Sequence, residues 1–408
     1  MLGRRVELAV CRRHGRAYNA TMPGLLEQIA SDEVLDEAYA WLCDRREHYS
    51  HHDDVWDVRF HWPEIKPVLQ AALLGGEYRF SPLRRIHRAE DDLEIWSALD
   101  SLVLKAIAIV LTQRLAPKLS DRCSHLAGNG GAKAAVRYVL EKLPANQFVF
   151  RTDVKSYYAS IDHDVLYSQL AGLIDDPRLL DLLRQYLRRT VYDDGLYEAV
   201  TQGISLGCPL SPLMGAVFLD MLDRRMETTG LAYVRFMDDW VMLAPTRWKL
   251  RAAIRVVNQA LAELKVQKHP DKTFVGWIAA GFEFLGFRYN SAGLAGVAKA
   301  TSEKFAARIN RLYEHGADAV LIGQYVRRWF QWVRSGLRSV DCWRFMPELC
   351  WQPAYAVARC HRLRPLCQCQ AGSAWSVQVP FLCLPLRSPR PDLCPRSMCR
   401  SRASVQER

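Results

Sequence analysis

The chain has 408 residues, half of them apolar, with a formal net charge of +11; it is long enough for two to four domains of ~100–200 residues and apolar enough to bury a core, which excludes wholesale disorder. Its longest apolar runs, such as Ala106–Leu111, fall far short of a membrane span of ~18 residues, and acidic, His-rich sequence follows the Met-Leu-Gly-Arg-Arg start before any secretory apolar region develops, so a soluble cytoplasmic protein is expected. Six of the twelve cysteines follow position 359, which is no spaced disulfide framework, and over half of the positive excess lies in residues 360–408, with eight Arg against Asp392 and Glu407.

In chain order, residues 25–47 read as helix from apolar spacing and helix-forming composition. Asp91–Leu115 is a second helix, with Leu93, Trp96, Leu99, Leu102, Ile107 and Leu111 near helical spacing before Pro117. Ala127–Gly131 is a glycine-rich break before a helix over Ala132–Lys142. Gln147–Val154 then turns to strand and delivers Asp153 at its end, with helix from about Asp164 to Arg189 and a polar hairpin at Val191–Tyr197. A Gly/Pro-punctuated segment, Gln202–Pro212, leads into a helix to about Thr228. Leu231–Phe236 and Trp240–Leu243 are two apolar strands with Met237-Asp238-Asp239 at their bend. Residues 247–265 form an amphipathic basic helix, Phe282–Tyr289 alternates like a strand, and 302–339 return to helix. This order gives an α+β class, an antiparallel-containing core between helical pieces, which suits a polymerase of right-hand architecture with a palm between two other subdomains.

Transfer at phosphate requires carboxylates that hold divalent cations, because Mg²⁺ prefers oxygen ligands and clamps the attacking and leaving oxygens. Adjacent acids alone say little: the chain has Asp-Asp pairs at 53–54, 91–92, 175–176, 193–194 and 238–239. The first four read as solvated turns. The last interrupts an apolar hairpin, where two uncompensated carboxylates would be expensive.

The residues from Phe150 to His163, with Thr152-Asp153-Val154-Lys155 at their head, resemble the first catalytic motif of bacterial reverse transcriptases. Gln202-Gly203-Ile204-Ser205-Leu206-Gly207-Cys208-Pro209-Leu210-Ser211-Pro212 is similar to their glutamine-glycine, serine-proline motif, and Tyr233–Asp239 to the aromatic-x-Asp-Asp signature. His269-Pro270-Asp271-Lys272-Thr273 and Phe284-Leu285-Gly286-Phe287 resemble the two motifs that follow. These five motifs stand in order between Phe150 and Phe287, and the resemblance, to group II intron-like and retron-type enzymes, covers roughly residues 75–345.

This resemblance implies an RNA-directed DNA polymerase that adds deoxynucleotides to a primer 3′-hydroxyl with two Mg²⁺ ions, or Mn²⁺ in their place. It implies catalytic roles for Asp153, Asp238 and Asp239, metal ligation by Asp153, Val154, Asp238 and Asp239, and a nucleotide site of Tyr158, Gln202, Gly203 and Lys272. Tyr158 falls where the family places the ring that excludes a 2′-hydroxyl. Phe284, Leu285 and Gly286 match the primer grip, and Arg327, Arg328, Trp329 and Trp332 a thumb segment that meets nucleic acid. The implied partners are an RNA template with a DNA or RNA primer, dNTPs and a dedicated noncoding RNA, with no membrane. The expected organisation is a helical N-terminal extension (1–75), fingers (76–145), palm (146–290), thumb (291–345) and a Cys/Arg/Pro-rich tail (360–408).

Departures bear on these expectations. The family's fingers carry a Lys-x-x-Arg-Pro-like stretch on the triphosphate; here Arg84-Arg85-Ile86-His87-Arg88 stands without the Arg-Pro, and Arg84, Arg85 or Arg88 are the candidates to substitute. Arg247, Lys249, Arg251 and Arg255 read either as a nucleic-acid surface or as a solvated helix face. His51, His52, Asp53, Asp54 and His61 lack a structural zinc spacing and read as a polar loop. The tail reads as out-of-frame sequence, a disordered basic segment or an irregular zinc module. The alternatives to templated synthesis are template-independent or protein-primed DNA synthesis, as in phage defence, and a catalytically degenerate RNA-binding module.

Overall fold

The structure is a computed structural model in which residues 24–87 and 93–336 are described; Arg88, the Asp91–Asp92 pair and the whole Cys/Arg/Pro-rich tail lie outside them. The N-terminal part is helical: α1 (Leu25–Ile29), α2 (Asp32–Arg45), α3 (Val55–Phe60) and α4 (Trp62–Gly75). The single helix expected from Leu25 breaks at Ser31, whose hydroxyl accepts from the Val34 amide and starts α2 afresh. Strands β1 (Leu83–Ile86) and β2 (Leu93–Ile95) pair antiparallel before α5 (Ala98–Leu115). The helix expected from Asp91 therefore begins only at Ala98, because Ser97 Oγ caps it by accepting the Asp100 amide. Apolar almost all round, α5 is buried as a central pillar. Leu35, Ala38 and Leu42 bury one face of α2 at helical spacing, and α2 packs along α5. The Asp53–Asp54 pair is no solvated turn: both acids pair with Arg46, and Asp54 accepts the Ala98 amide at 2.6 Å, at the N-terminus of α5.

The remaining elements follow as α6 (Gly131–Lys142), β3 (Phe148–Thr152), α7 (Tyr157–Ser160), α8 (His163–Ala171), α9 (Pro177–Leu187), β4 (Thr190–Asp193), β5 (Leu196–Ala199), α10 (Ser211–Thr228), β6 (Ala232–Phe236), β7 (Asp239–Ala244) and α11 (Arg247–Glu263). After α11 come β8 (Phe274–Trp277), β9 (Phe282–Phe284), β10 (Phe287–Asn290), β11 (Gly293–Val297), α12 (Lys299–Glu314) and α13 (Ala319–Gly336).

The central sheet is antiparallel in the order β6-β7-β3-β8. Because successive side chains point to opposite faces, it is covered twice. Phe148, Phe150, Trp240, Met242 and Ala244 join the large core, to which α10 and α11 contribute. Val149, Val241 and Leu243 join a second core with Ala135, Val136 and Val139 of α6 and Phe284 and Phe287. A second sheet, β2-β1-β4-β5, pairs β1 in parallel with β4, so it draws strands from both the fingers and the palm ranges expected from sequence. The third, β11-β10-β9, crosses the expected palm–thumb boundary at 290. The single strand expected over 282–289 is a hairpin folded at Leu285-Gly286, with Phe284 opposite Phe287.

Candidate active site

Strand β3 pairs with β7 up to Thr152 opposite Trp240, so Asp153, the residue that follows β3, lies beside the β6–β7 bend. In that bend Phe236 pairs with Asp239 and leaves Met237 and Asp238 as a two-residue turn. Met237 has φ of +57°, a left-handed conformation that glycine usually supplies in hairpin turns and that costs roughly 1–3 kcal/mol for other residues.

The strain is held from two sides. The Met237 amide donates to His125 Nδ1 at 3.0 Å, and its carbonyl accepts from Arg235 Nη1 at 2.7 Å. Arg235 is in turn ion-paired with Asp223 of α10, with neither side chain exposed, and Asp223 also accepts the Tyr233 hydroxyl at 2.7 Å. Breaking one side of such a buried pair typically costs ~3–5 kcal/mol, so the bend is anchored to the core. Sequence reasoning missed His125, Asp223 and Arg235. The available signal was an arginine inside an apolar strand and an aspartate inside an apolar helix, which rarely occur unless paired.

Asp153 is 5% exposed. Its Oδ2 accepts from Lys272 Nζ at 2.6 Å, whereas its Oδ1 is buried and has no partner among the described residues. Arg151 donates to both oxygens of Asp239, at 3.3 and 3.5 Å. Burial pushes the Asp239 carboxyl up to about 6, opposed by Arg151 and assisted by the charges of Asp153 and Asp238. Asp238 is also raised, by burial and by Asp153, with Lys272 and Arg235 opposing. An orphaned buried carboxylate oxygen and two carboxylates that resist ionisation form a donor set suited to a hard divalent cation, which would reverse each of these costs. Val154 has an apolar side chain and could offer a cation only its backbone carbonyl; the bridge that sets it opposite Lys268 is made by the flanking Lys155 amide and Asp153 carbonyl. Among the described residues, three ligand-type side chains come within 4.8 Å of one another at His87, Asp193 and Asp194, where Asp193 is already paired with Arg85 and His87.

A cavity of about 1140 Å³ opens beside Asp238 and is lined by Tyr158, Gln202, Gly203, Arg85 and Met237. Burial, then Asp238, pushes the Tyr158 hydroxyl up to about 12. Gly203 has φ of +83°, and a Cβ there would sit 2.9 Å from Ala159 Cα and O. Its carbonyl accepts from Arg189 Nη1 at 2.9 Å, with His163 Nε2 at 2.8 Å. Gln202 donates to the Ser160 carbonyl at 3.1 Å. Lys272 does not line this cavity; its ammonium is turned to Asp153. Arg84 is exposed, while Arg85 is held at 2.8 Å by both Asp193 and Glu198, so its charge is compensated within the protein.

Of the expected primer grip, Phe284 is fully buried and serves as core, which leaves Leu285 (φ +47°) and Gly286 (φ +79°) at the hairpin tip. Arg327 and Arg328 are exposed on α13. The rings of Trp329 and Trp332, expected to meet nucleic acid, instead stack on Phe305 and Phe287, at 4.1 and 4.6 Å between centroids. Trp332 thereby ties α13 to β10 and Trp329 ties it to α12, while Arg327 and Arg328 face outward.

Residues 97–289 match the sequence model of the family described as "Reverse transcriptase (RNA-dependent DNA polymerase)". The chain is 23% identical over 266 residues to the protein YkfC of Escherichia coli, covering 54% of this chain and 70% of that protein. It is 25% identical over 219 residues to the group II intron-encoded protein LtrA of Lactococcus lactis, covering 52% of this chain and 36% of that protein. A solved structure titled "Partial Cas6-RT-Cas1--Cas2 complex" aligns with 60% of this chain and 42% of its own, at 23% identity and a TM-score of 0.38. The carboxylate bend and most of its cavity lining lie within residues 97–289, the stretch that is similar to the reverse transcriptase (RNA-dependent DNA polymerase) family.

Proposed function

We propose that the chain extends a primer 3′-hydroxyl with deoxynucleotides on an RNA template. One observation carries this reading: β3 pairs with β7 up to Thr152, so Asp153 lies beside the bend that carries Asp238, and a 1140 Å³ cavity lined by Asp238 and Tyr158 opens there. Asp153 and Asp238 would hold Mg²⁺ ions, which when bound lower the pKa of the primer hydroxyl and offset charge on the transferring phosphoryl group. The chain's own residues do the positioning. Arg151 holds Asp239, while His125 and Arg235 fix the Asp238 peptide through Met237. The Tyr158 ring, which lines the cavity, would exclude a ribose 2′-hydroxyl, and Gly203 would let backbone approach the nucleotide. Lys272 would move from Asp153 to the triphosphate as a point charge.

The fingers, palm and thumb follow the three sheets and α12–α13 rather than contiguous ranges, since β4 and β5 belong with β1 and β2. Extension of oligo-dT on poly-rA with dNTPs and Mg²⁺ tests the proposal. Template-dependent incorporation, lost in Asp238→Asn, is expected. Incorporation without template would replace it by untemplated or protein-primed synthesis, and RNA binding without any incorporation by a degenerate binding module.

A further inference from the structure

Helix α11 carries a surface that the catalytic reading does not use. Leu250, Ala253, Val257, Ala260 and Leu261 bury its inner face against the palm core. Arg247, Arg251 and Arg255 recur every fourth residue on the outer face, with a rise of about 6 Å between them. Trp248 lies within the same arc and is 76% exposed, the Arg251 guanidinium resting over its ring at 5.4 Å.

Two features argue against a merely solvated face. No acid occurs in the first turn, so Arg247 and Lys249 oppose the helix dipole. Arginines at i, i+4 and i+8 also repel one another. Among the described residues no carboxylate lies within ion-pair distance of Arg247, Lys249, Arg251 or Arg255; the one acid of the helix, Glu263, pairs with Arg225. A large exposed indole beside uncompensated guanidiniums is the combination that binds an unpaired strand, charges on phosphates and ring against a base.

The surface stands apart from the catalytic bend. β7 leads away from Asp239 for six residues, about 20 Å at ~3.3 Å each, before the chain turns into Arg247 and Trp248. We infer that the outer face of α11 is a second nucleic-acid site, one for single-stranded RNA that lies outside the primer–template cleft. Arg247, Arg251 and Arg255 would follow the backbone and Trp248 would stack on a base. This does not depend on polymerisation.

Fluorescence anisotropy of full-length protein with labelled single-stranded oligo(U) tests it. Trp248→Ala should weaken binding about tenfold, and Trp248→Phe should restore most of it. Arg247→Glu, Arg251→Glu and Arg255→Glu together should abolish the interaction at this face and reduce the salt slope by about 2. Unchanged affinity in Trp248→Ala, or equal competition by an RNA duplex of the same charge, would overturn the proposal. Should the triple variant fail to fold, cross-linking wild-type protein with 4-thiouridine oligo(U) decides: adducts within 247–255 are expected, and adducts confined to other segments would refute the site.

Discussion

The Lys272 ammonium donates to Asp153 Oδ2 over 2.6 Å, so the carboxylate that closes β3 already has a counter-charge from its own chain. That lysine is half exposed, whereas Asp153 is nearly buried, so the pair is partly screened and worth about 1 kcal/mol. A divalent cation must compete with it. Lys272→Met should therefore bind Mn²⁺ roughly fivefold more tightly in the absence of nucleotide, read by calorimetry, while primer extension falls. Equal or weaker Mn²⁺ binding would show that the lysine does not compete.

Asp239 presents the opposite balance. With its carboxyl pushed up to about 6, the fold favours the protonated acid. The stability it contributes is fully present below the ordinary carboxylate range near 3.8 and is lost as pH rises through 6. In EDTA at pH 7.5, Asp239→Asn should thus raise the unfolding midpoint by a few degrees, on the order of 1–3 kcal/mol, an advantage that fades toward pH 4. A lowered midpoint at both pH values would mean that the Arg151 contact outweighs burial.

His125 titrates in the other sense. Burial, then the charge of Arg235, lowers its pKa to about 4, while the Pro212 carbonyl opposes the shift. It accepts the Met237 amide through Nδ1, which requires that nitrogen to be unprotonated. Stability is complete above pH 6.5 and declines as pH falls from 6.5 to about 4, by up to roughly 3 kcal/mol. Urea unfolding of wild type and His125→Gln across that range should show the slope in the first and its loss in the second.

Any side chain at Gly203 would be strained. Alanine would combine a positive φ with a Cβ 2.9 Å from Ala159 backbone atoms. Gly203→Ala should lose about 2 kcal/mol in urea titrations and raise the KM for dNTP. Gly207→Ala, also at positive φ but with open space around its Cβ, should lose less.

Much of the central sheet was legible because its signals are local. Continuous β-rich apolar runs mark β3, β6 and β7, and acids that interrupt such a run mark a bend, so Asp153 could be set beside Asp238 and Asp239 from sequence on the condition that β3 and β7 are neighbours, which their pairing meets. What escaped depends on distant partners. β8 has little pattern of its own, with Gly276 at its centre, and exists because β3 offers it an edge. The Leu285-Gly286 turn hides within an alternating run because leucine is not a turn residue, yet Trp332 of α13 packs against the glycine it flanks. Trp329 and Trp332 read equally well as base-stacking rings or as core, and only the positions of Phe305 and Phe287 separate the two.

The parallel pairing of β1 with β4 sets a condition on how the molecule is made. Arg84 finds its strand partner in Tyr192, and Arg85 its counter-ion in Asp193, more than a hundred residues later. At ~5–20 residues per second, a ribosome would leave the β1–β2 ribbon with one open edge for several seconds. Its only early partner is itself, and a two-stranded ribbon is marginal in water. Completion of this sheet is therefore a late, high-contact-order event, and slow synthesis or truncation before Asp193 would leave an adhesive strand edge exposed.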